Sequence, residues 1–554
     1  MLLSILYGEG GTMFTVKGIP ASDGYAIGKV LIKLEVKISK QDNSEVNTES
    51  ELEKLNKSLA ISKAQLQSLY EKACIEVGEK NAAIFESHIT FLDDPEFIGE
   101  IERSIRENNI TAISSIESVT NGFVAIFESM EDEYMRERAA DIKDVSIRII
   151  KNILDIKQEF IISKENTVVV AHDLSPSDTA QMDKSKIIGF VTDIGGKTSH
   201  TAIMARTLEL PAIVGTTNAT EFVKDDDTII VDGIKGEAFI DPPEDLIDEY
   251  IIKQKLYKEE KEKLKSLKNL SLSYKDNRKI LLAGNIGEPN DVDKVLENGG
   301  EAIGLFRTEF LYMNRDSMPT EDEQFEAYKA VLTKMENRPV VIRTLDIGGD
   351  KQLPYLEMPQ EMNPFLGYRA IRLCLDKTYI FKTQLRALLR ASLYGNLAIM
   401  FPMISSLDQV EKAKSILDEC KNELQNENKE FNSKIEVGIM VEIPSSALIA
   451  EEIAPHVDFF SIGTNDLTQY TLAVDRGNEN ISYLYDSMHP AVLKLIKMTI
   501  DAAHKYGKWC GMCGELAGDP AAIETLVSYE LDEFSMSASS ILKAKKKIFE
   551  ILDK

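Results

Sequence analysis

The sequence predicts a multidomain α/β protein in which a helical bundle is inserted into an α/β domain and a (β/α)8 barrel follows. Three observations lead to this prediction. The chain has 554 residues, and single hydrophobic cores stop growing at roughly 250–300 residues, so several domains are expected. The first half changes from short strands to a long helical stretch and back to strands. The second half repeats a strand and a helix eight times.

The first α/β domain is predicted to consist of two separate segments of the chain. In residues 15–33, glycine and proline punctuate short strand candidates. In residues 49–156 both are scarce and leucines recur at helical spacing, which predicts a bundle of helices. The simplest topology joins the first segment to residues of about 157–240 and inserts the bundle between them. Strand candidates of the second segment are 167–171, 187–191 and 229–231.

Residues 244–268 predict a long solvated helix between two halves of the chain. They are rich in Lys, Glu and Leu and contain neither Gly nor Pro. An ordinary surface helix is equally compatible with this composition.

Eight short apolar strand candidates, separated by helical stretches, follow from Ile280 onward. Eight such units in about 280 residues indicate a (β/α)8 barrel, whose active site is expected at the carboxyl ends of its strands. An open doubly wound sheet is the alternative. The strand candidates are 281–285, 302–306, 340–342, 398–401, 437–441, 459–462, 507–511 and 533–536.

The composition excludes several classes of function. There are 64 Lys and Arg residues against 91 Asp and Glu residues, a net charge of −27. This charge repels nucleic acid and anionic membrane surfaces and attracts a basic protein partner. Five cysteines with one close pair form no disulfide framework. Neither a signal peptide nor a run of about 18 apolar residues is present, so we expect a cytoplasmic protein without membrane insertion.

Polar residues collect at the ends of the predicted barrel strands. Two arginines, two carboxylates and one thiol at one mouth suit a polyanionic substrate that is held partly by a divalent metal. The alternative is a set of charged rim residues that pair with one another. The strand-end residues are Asn285, Arg307, Arg343, Met403, Glu442, Asn465 with Asp466, Cys513 and Ser537.

A second cluster lies in residues 193–206, DIGGKTSHTAIMAR. Its two glycines permit a tight turn, and Thr198 or Ser199 can cap a helix that begins at His200. Backbone N–H groups and the helix dipole at that position favour a phosphate carried on the imidazole. An isolated histidine is more often structural, but the other five histidines lack a glycine-rich turn and hydroxyls directly before them.

Cys510 and Cys513 have the spacing of a redox or zinc motif. They fall on a predicted barrel strand, and no second pair accompanies them, so we treat redox or zinc function as the alternative. Alternation along the strand sends the two side chains to opposite faces, with Cys513 reaching the mouth.

Six segments carry a resemblance that runs over nearly the whole chain. They are 195–201 (GGKTSHT), 304–310 (GLFRTEF), 343–351 (RTLDIGGDK), 363–369 (NPFLGYR), 461–470 (SIGTNDLTQY) and 511–515 (GMCGE). Together they are similar to Enzyme I, the phosphoenolpyruvate-protein phosphotransferase family of the bacterial sugar phosphotransferase system. The resemblance implies that phosphoenolpyruvate phosphorylates His200, that His200 passes the group to the carrier protein HPr, and that pyruvate is released.

The resemblance also implies roles for individual residues. Arg307, Arg343, Arg369, Asn465 and Arg476 would bind phosphoenolpyruvate, Glu442 and Asp466 would bind Mg²⁺, Cys513 would protonate the methylene carbon of the enolate, and Thr179 would lie near the histidine. Because charge develops on the phosphoryl oxygens, arginines and Mg²⁺ supply electrostatic stabilisation while His200 attacks as a neutral imidazole.

The implied domains are a swivelling phosphohistidine α/β domain, an HPr-binding helical domain, a linker and a barrel that binds phosphoenolpyruvate. Their boundaries are 13–36 with 157–240, 37–156, 241–272 and 273–554, respectively. Because the histidine and the barrel belong to different domains, we expect the α/β domain to swing, with 241–272 as the hinge. The family further implies a homodimer.

Two other functions compete with this prediction. A pyruvate phosphate dikinase or phosphoenolpyruvate synthase would carry a large ATP-binding domain, and none fits before residue 157; Thr201 after His200 also favours the protein phosphotransferase. A non-catalytic regulator that binds HPr has no need of the polar residues at the barrel mouth.

Two features depart from the family pattern. The chain ends at Lys554, where family members usually continue with further helix, and this bears on the final packing of the barrel and on dimer stability. The residues before Met13 are also unusual, and Met13 is an alternative translation start.

Overall fold

The computed structural model describes residues 5–8, 11–33, 46–77, 79–129, 133–156, 164–175, 178–179, 182–197, 199–313, 315–348, 353–359, 361–476, 478 and 480–553. The chain divides into two compact units, Met1–Glu259 and Glu260–Lys554. Within the described ranges, no helix has the length and apolar character needed to cross a membrane.

A mixed sheet organises the first unit. Among the described residues its nine strands are β1 (Ile5–Gly8), β2 (Gly11–Lys17), β3 (Ile19–Ser22), β4 (Tyr25–Lys33), β5 (Thr167–Ala171), β6 (Ile187–Thr192), β7 (Ala212–Val214), β8 (Thr228–Asp232) and β9 (Glu237–Ile240). Their order is β1-β2-β9-β8-β4-β5-β6-β7-β3. β4 and β5 are parallel neighbours, although some 130 residues separate them in the chain. The predicted insertion into an α/β sheet is therefore confirmed.

Helices fill the insertion between β4 and β5. α3 shows how the local sequence sets their bounds: the Asp94 side chain accepts from the Glu96 N–H, Pro95 occupies the first turn, and Asn109 ends the helix in the left-handed region. Buried Phe97, Ile101 and Ile105 form its inner face. The helices are α1 (Thr48–Val77), α2 (Glu79–Leu92), α3 (Pro95–Asn108), α4 (Ala112–Glu128) and α5 (Glu133–Ile153).

The described part of the first unit also contains α6 (His200–Thr207), α7 (Ala219–Phe222) and most of α8 (Glu244–Ser266). α8 is the predicted long helix, and its amino-terminal part is attached to the sheet. The buried Tyr250 hydroxyl donates to Asp232 Oδ2 at 2.9 Å, and Gln254 donates to the backbone carbonyl of Tyr25.

The second unit is a closed parallel barrel. Its described strands are β11 (Lys279–Ile286), β12 (Ala302–Arg307), β13 (Pro339–Arg343), β14 (Asn396–Phe401), β15 (Glu436–Val441), β16 (Phe459–Ile462), β17 (Trp509–Met512) and β18 (Glu533–Met536). The short strand β10 (Leu272–Ser273) precedes the ring and pairs antiparallel with β11. β11 pairs with both β12 and β18, so the ring of strands closes. The alternative prediction of an open doubly wound sheet is therefore wrong. β17 begins two residues later than predicted, because Gly507 lies in a turn with φ +69°.

Helices follow the barrel strands in the described part of the second unit. They are α9 (Asp291–Glu297), α10 (Glu321–Met335), α11 (Ile371–Asp376), α12 (Thr378–Ala391), α13 (Leu407–Asn426), α14 (Pro444–Leu448), α15 (Ala450–Ile453), α16 (Thr464–Leu472), α17 (Pro490–Lys505), α18 (Pro520–Ser528) and α19 (Ile541–Leu552). α19 is attached through buried Lys545, whose ammonium donates to the carbonyls of Lys268 and Gly299.

A buried carboxyl group lies at the amino-terminal end of β18. Glu533 is 1% exposed, and one of its oxygens, Oε1, has no hydrogen-bond partner. A Cβ atom at Gly304 would come within 2.3 Å of this oxygen, so only glycine leaves room for it on the neighbouring strand. Burial, together with the nearby charge of Asp532, raises the pKa of Glu533 to about 8.

Replacing Glu533 by Gln is expected to reduce the pH dependence of stability. The folded-state pKa is raised, so the protonated group stabilises the fold fully below about pH 4.5 and that contribution is lost as the pH rises through about 8. Each pH unit of this window changes the free energy of unfolding by up to about 1.4 kcal/mol. Between pH 6 and pH 8.5, thermal unfolding should show a smaller loss of Tm for Glu533→Gln than for the wild type.

The matched control is Glu524→Gln, since Glu524 is exposed on α18. This control should retain the pH dependence of the wild type. Identical losses of Tm in all three proteins would contradict the prediction.

Candidate active site

His200 is the first residue of α6, as predicted. The preceding turn requires Gly195, which has φ +110° and lies against Ser199: a Cβ atom there would approach Ser199 Oγ to 3.0 Å. Ser199 is the N-cap residue, and its hydroxyl accepts from the Ala202 N–H. The other predicted capping residue, Thr198, lies outside the described residues.

The His200 imidazole is half-buried and is oriented by one hydroxyl. Thr179 Oγ1 lies 3.0 Å from His200 Nε2. Burial lowers the pKa of His200 below 6.5, while the carboxylates of Asp144 and Asp141 act in the opposite direction and His88 adds a smaller lowering effect. At neutral pH the imidazole is therefore uncharged and can act as a nucleophile.

The arginine at the end of β13 is held by two carboxylates. Arg343 is 7% exposed; its Nη2 lies 2.6 Å from Glu309 Oε1 and its Nη1 lies 3.0 Å from Asp346 Oδ2. Burial acts to lower the pKa of Arg343, whereas the charges of Glu309, Asp346 and Glu442 act to raise it. The charges have the larger combined effect, so the pKa is raised. Arg307, at the end of β12, is the register partner of Arg343 on the adjacent strand.

Asp346 joins this arginine to a second one. Its Oδ1 accepts from Arg369 Nη2 at 2.8 Å and from Arg369 Nε at 3.2 Å. Arg369 Nη2 also lies 3.5 Å from Asp466 Oδ2, and its Nη1 donates to the Tyr470 hydroxyl. Arg343 and Arg369 are thus held rigidly in one cluster, with Asp346 between them.

Glu442 lies directly after β15 and is 2% exposed. Its Oε1 accepts from the Met403 N–H at 2.6 Å, and Met403 adopts the left-handed region with φ 55°. Burial and the neighbouring carboxylates of Asp466 and Asp346 raise the pKa of Glu442 to about 8, against the opposing effect of Arg343 and Arg369. A cation beside these carboxylates would relieve their repulsion.

Asn465 and Arg476 frame α16 at its two ends. Asn465 Oδ1 accepts from the Glu515 N–H at 3.2 Å, and its backbone carbonyl accepts from the Tyr485 hydroxyl. Arg476 is exposed on the turn after α16, where its backbone N–H donates to Gln469 Oε1.

Cys513 is a buried thiol that follows β17. Burial raises its pKa to about 11, and the thiol is protonated at neutral pH; Ser461, Arg343 and Arg307 act in the opposite direction. Cys510 lies in a different core cluster from Cys513, as the alternation predicted. Both are free thiols, and no group of three metal-ligating side chains occurs among the described residues.

Three family models match successive parts of the chain. They are described as the N-terminal domain (residues 17–138), the mobile domain (163–236) and the PEP-binding domain (261–552) of PEP-utilising enzymes. A protein of Staphylococcus carnosus named phosphoenolpyruvate-protein phosphotransferase is 53% identical over 96% of this chain and 93% of its own length. The chain belongs to the phosphoenolpyruvate-protein phosphotransferase family.

Two further proteins are similar to this chain. A phosphoenolpyruvate-protein phosphotransferase of Listeria innocua is 53% identical over 96% of this chain and 93% of its own length. A solved structure described as "NMR solution structure of Enzyme I (nEIt) protein using two 4D-spectra" is 40% identical, with a TM-score of 0.37, and covers 44% of this chain and 99% of that chain.

Within the phosphotransferase barrel, the structure groups most of the predicted site residues. Arg343, Arg369 and Asp466 are joined through ion pairs, and the charges of Glu442 and Cys513 act on Arg343. Arg476 forms no ion pair with this cluster in the described part of the chain. His200 and Thr179 belong to the first unit.

Sequence reasoning assigned no role to Glu309 or Asp346, the two counter-charges of Arg343. Both fall in the segments that carried the family resemblance, and each follows a strand-end arginine by two or three residues. A signal was available: an arginine predicted at the end of a buried strand needs a carboxylate within reach.

The donor set fits a magnesium ion. Glu442 and Asp466 are hard oxygen ligands, and Mg²⁺ is usually bound by one or two carboxylates together with water and substrate phosphate. The raised pKa of Glu442 reflects burial and carboxylate repulsion, an environment that favours a bound cation. The absence of a third carboxylate or histidine ligand among the described residues is compatible with such a site.

Replacing Asp346 by Asn is expected to lower the free energy of unfolding of the barrel by about 3–5 kcal/mol, because two buried guanidinium groups would lose their shared counter-charge. Urea unfolding of the full chain measures this change. The control is Asp501→Asn, which removes an exposed carboxylate paired with Lys497 on α17 and should cost about 1 kcal/mol or less. Equal effects of the two substitutions would contradict the prediction.

Proposed function

We propose that this chain transfers the phosphoryl group of phosphoenolpyruvate to His200 and then to the carrier protein HPr, releasing pyruvate. The observation that carries the proposal is the neutral imidazole at the start of α6, hydrogen-bonded to Thr179 and supplied with backbone N–H groups for an anion. The cluster of paired arginines and carboxylates at the barrel mouth supports a polyanionic substrate.

In this proposal Arg307, Arg343, Arg369, Asn465 and Arg476 bind phosphoenolpyruvate. Guanidinium groups match phosphate and carboxylate oxygens in pairs, and the ion pairs around Asp346 hold two of them in fixed planes before the substrate arrives. Glu442 and Asp466 would hold Mg²⁺, which offsets charge on the transferring phosphoryl group.

His200 attacks phosphorus while the bond from phosphorus to the enol oxygen breaks. A hydrogen bond donated by the Thr179 hydroxyl to Nε2 requires the tautomer with hydrogen on Nδ1, which leaves the Nε2 lone pair as the nucleophile. The enolate that departs must gain a proton at its methylene carbon. Cys513 is the proposed acid: burial keeps its thiol protonated, and Arg343 and Arg307 stabilise the thiolate that remains until solvent restores the proton.

The second half of the reaction requires a protein partner and movement. We propose that the helical segment, residues 37–156, docks HPr, and that the net charge of −27 attracts a basic surface on it. Residues 241–272 would act as the hinge. Because Tyr250 attaches the start of α8 to the sheet, a swing would carry the first turns of this helix with it. A homodimer and a cytoplasmic location, in keeping with five free thiols, complete the proposal.

Incubation with phosphoenolpyruvate labelled in its phosphate, in the presence of Mg²⁺, should place acid-labile, base-stable label on the wild type. A His200→Ala variant should remain unlabelled, since it lacks the nucleophile. The variant's Tm and its affinity for phosphoenolpyruvate serve as controls for the fold and the barrel. Absence of label on both proteins would refute the proposed function, and label on both would place the phosphoryl group elsewhere.

The phosphorylation rate is expected to stay constant from pH 8 down to about pH 6.5 and to fall only below that. Burial lowers the pKa of His200, so the neutral nucleophile persists above this lowered pKa and is lost as the pH falls through it. Rapid-quench measurements at saturating phosphoenolpyruvate test this, since the substrate phosphate itself titrates near pH 6. A rate that already declines between pH 8 and pH 7 would contradict the prediction.

A further inference from the structure

A glutamine lies on the inner face of α12, among apolar residues. The Gln384 side chain is 0% exposed, and Phe381, Leu385 and Leu388 of the same helix are buried as well. Glutamine is mostly found at protein surfaces, and a buried amide costs stability unless its hydrogen bonds are made. The partners of this amide therefore indicate why a polar residue is placed there.

The Gln384 amide connects the ends of two neighbouring barrel strands. Its Oε1 accepts from the Leu345 N–H at 2.8 Å, and its Nε2 donates to Thr308 Oγ1 and to the Tyr328 hydroxyl, each at 3.1 Å. Because a backbone N–H can only donate, the Leu345 contact fixes which way the amide faces. Thr308 directly follows β12 and Leu345 lies two residues after β13, so one side chain ties both strand ends to α12.

Thr308 extends this connection to a proposed substrate ligand. Its side chain is 0% exposed, and its hydroxyl donates to the backbone carbonyl of Arg343 at 2.9 Å while it accepts from Gln384. Thr308 directly follows Arg307 in the chain. The hydroxyl therefore links the backbone that carries one arginine to the backbone that carries the other.

The two loop residues that Gln384 contacts also precede the counter-charges of Arg343. Glu309 is the next residue in one loop, and Asp346 is the next residue in the other. These carboxylates lie 2.6 Å from Arg343 Nη2 and 3.0 Å from Arg343 Nη1, respectively. The orientation of the Arg343 guanidinium group thus depends on backbone that Gln384 holds in place.

We propose that Gln384 is a positioning residue for phosphoenolpyruvate: it ties the ends of β12 and β13 together and so sets the spacing at which Arg307 and Arg343 bind the same anion. This inference rests on the proposed function. Because Gln384 is fully buried and its amide is bonded within the barrel, it acts through Thr308 and Leu345 rather than by touching the substrate.

The test replaces Gln384 by Met, which has a similar length but neither donates nor accepts the three hydrogen bonds. Phosphorylation of the full chain by labelled phosphoenolpyruvate with Mg²⁺ is measured well below the Tm of each variant. Gln384→Met should raise KM by about ten- to a hundredfold, since small displacements of binding groups have effects of this size. The change in kcat should be much smaller, because bound substrate draws the arginines back into place.

A matched pair at Thr308 tests the same contact from the other side. Thr308→Val keeps the size of the side chain but removes the hydroxyl, and it should raise KM as Gln384→Met does. Thr308→Ser keeps the hydroxyl and should retain a KM near that of the wild type. The double variant Gln384→Met, Thr308→Val should exceed the larger single effect by no more than about threefold, because both changes break one contact. The Thr308 pair decides the question if Gln384→Met does not fold.

Thr499→Val is the control for loss of a buried hydrogen bond elsewhere in the barrel. Thr499 is 0% exposed, and its hydroxyl donates to the Leu495 carbonyl within α17 at 2.9 Å. This variant should lower Tm and keep the wild-type KM. A wild-type KM in folded Gln384→Met and Thr308→Val, or an equal rise of KM in Thr499→Val, would overturn the inference. A wild type that takes up no label would instead refute the proposed function.

Discussion

The barrel mouth depends on one carboxylate, Asp346, which binds two buried guanidinium groups at once. Isolated charges are not tolerated in a protein interior, and Asp346 is the counter-charge that Arg343 and Arg369 share. Because Arg369 also contacts Asp466, the same carboxylate fixes a proposed substrate ligand relative to a proposed metal ligand. The rim-pairing alternative and the substrate-binding interpretation are therefore compatible, because ion pairs within the cluster would hold the arginines in place for the proposed anion.

The fold was largely predictable from the sequence, because strand ends and glycine positions depend on local pattern. All eight barrel strands were found by their apolar runs, and His200 was correctly placed at a helix start by the glycine-rich turn before it. What could not be predicted were contacts between distant elements. Nothing in the spacing shows that His88 of α2 lies between two carboxylates of α5, or that Asp346 joins Arg343 to Arg369.

Burial has different consequences at different places in this chain. At Cys513 it raises the pKa of a thiol and keeps available the proton that the proposed reaction needs. At Glu533, remote from the strand ends that form the mouth, it raises a carboxyl pKa without any chemistry that would use it. A strongly shifted pKa is therefore evidence of function only where other functional groups converge, as they do around Cys513 and do not around Glu533.

The two units hold their proposed reactive groups in different electrostatic surroundings. In the barrel, Arg343 and Arg369 are paired with carboxylates, and Glu442 is buried beside further carboxylates that raise its pKa. Negative charge is therefore already concentrated at this mouth, and a cation such as the proposed Mg²⁺ would offset it when an anionic substrate binds. At His200, burial lowers the pKa and keeps the imidazole neutral, so the proposed nucleophile needs no counter-charge before it reacts.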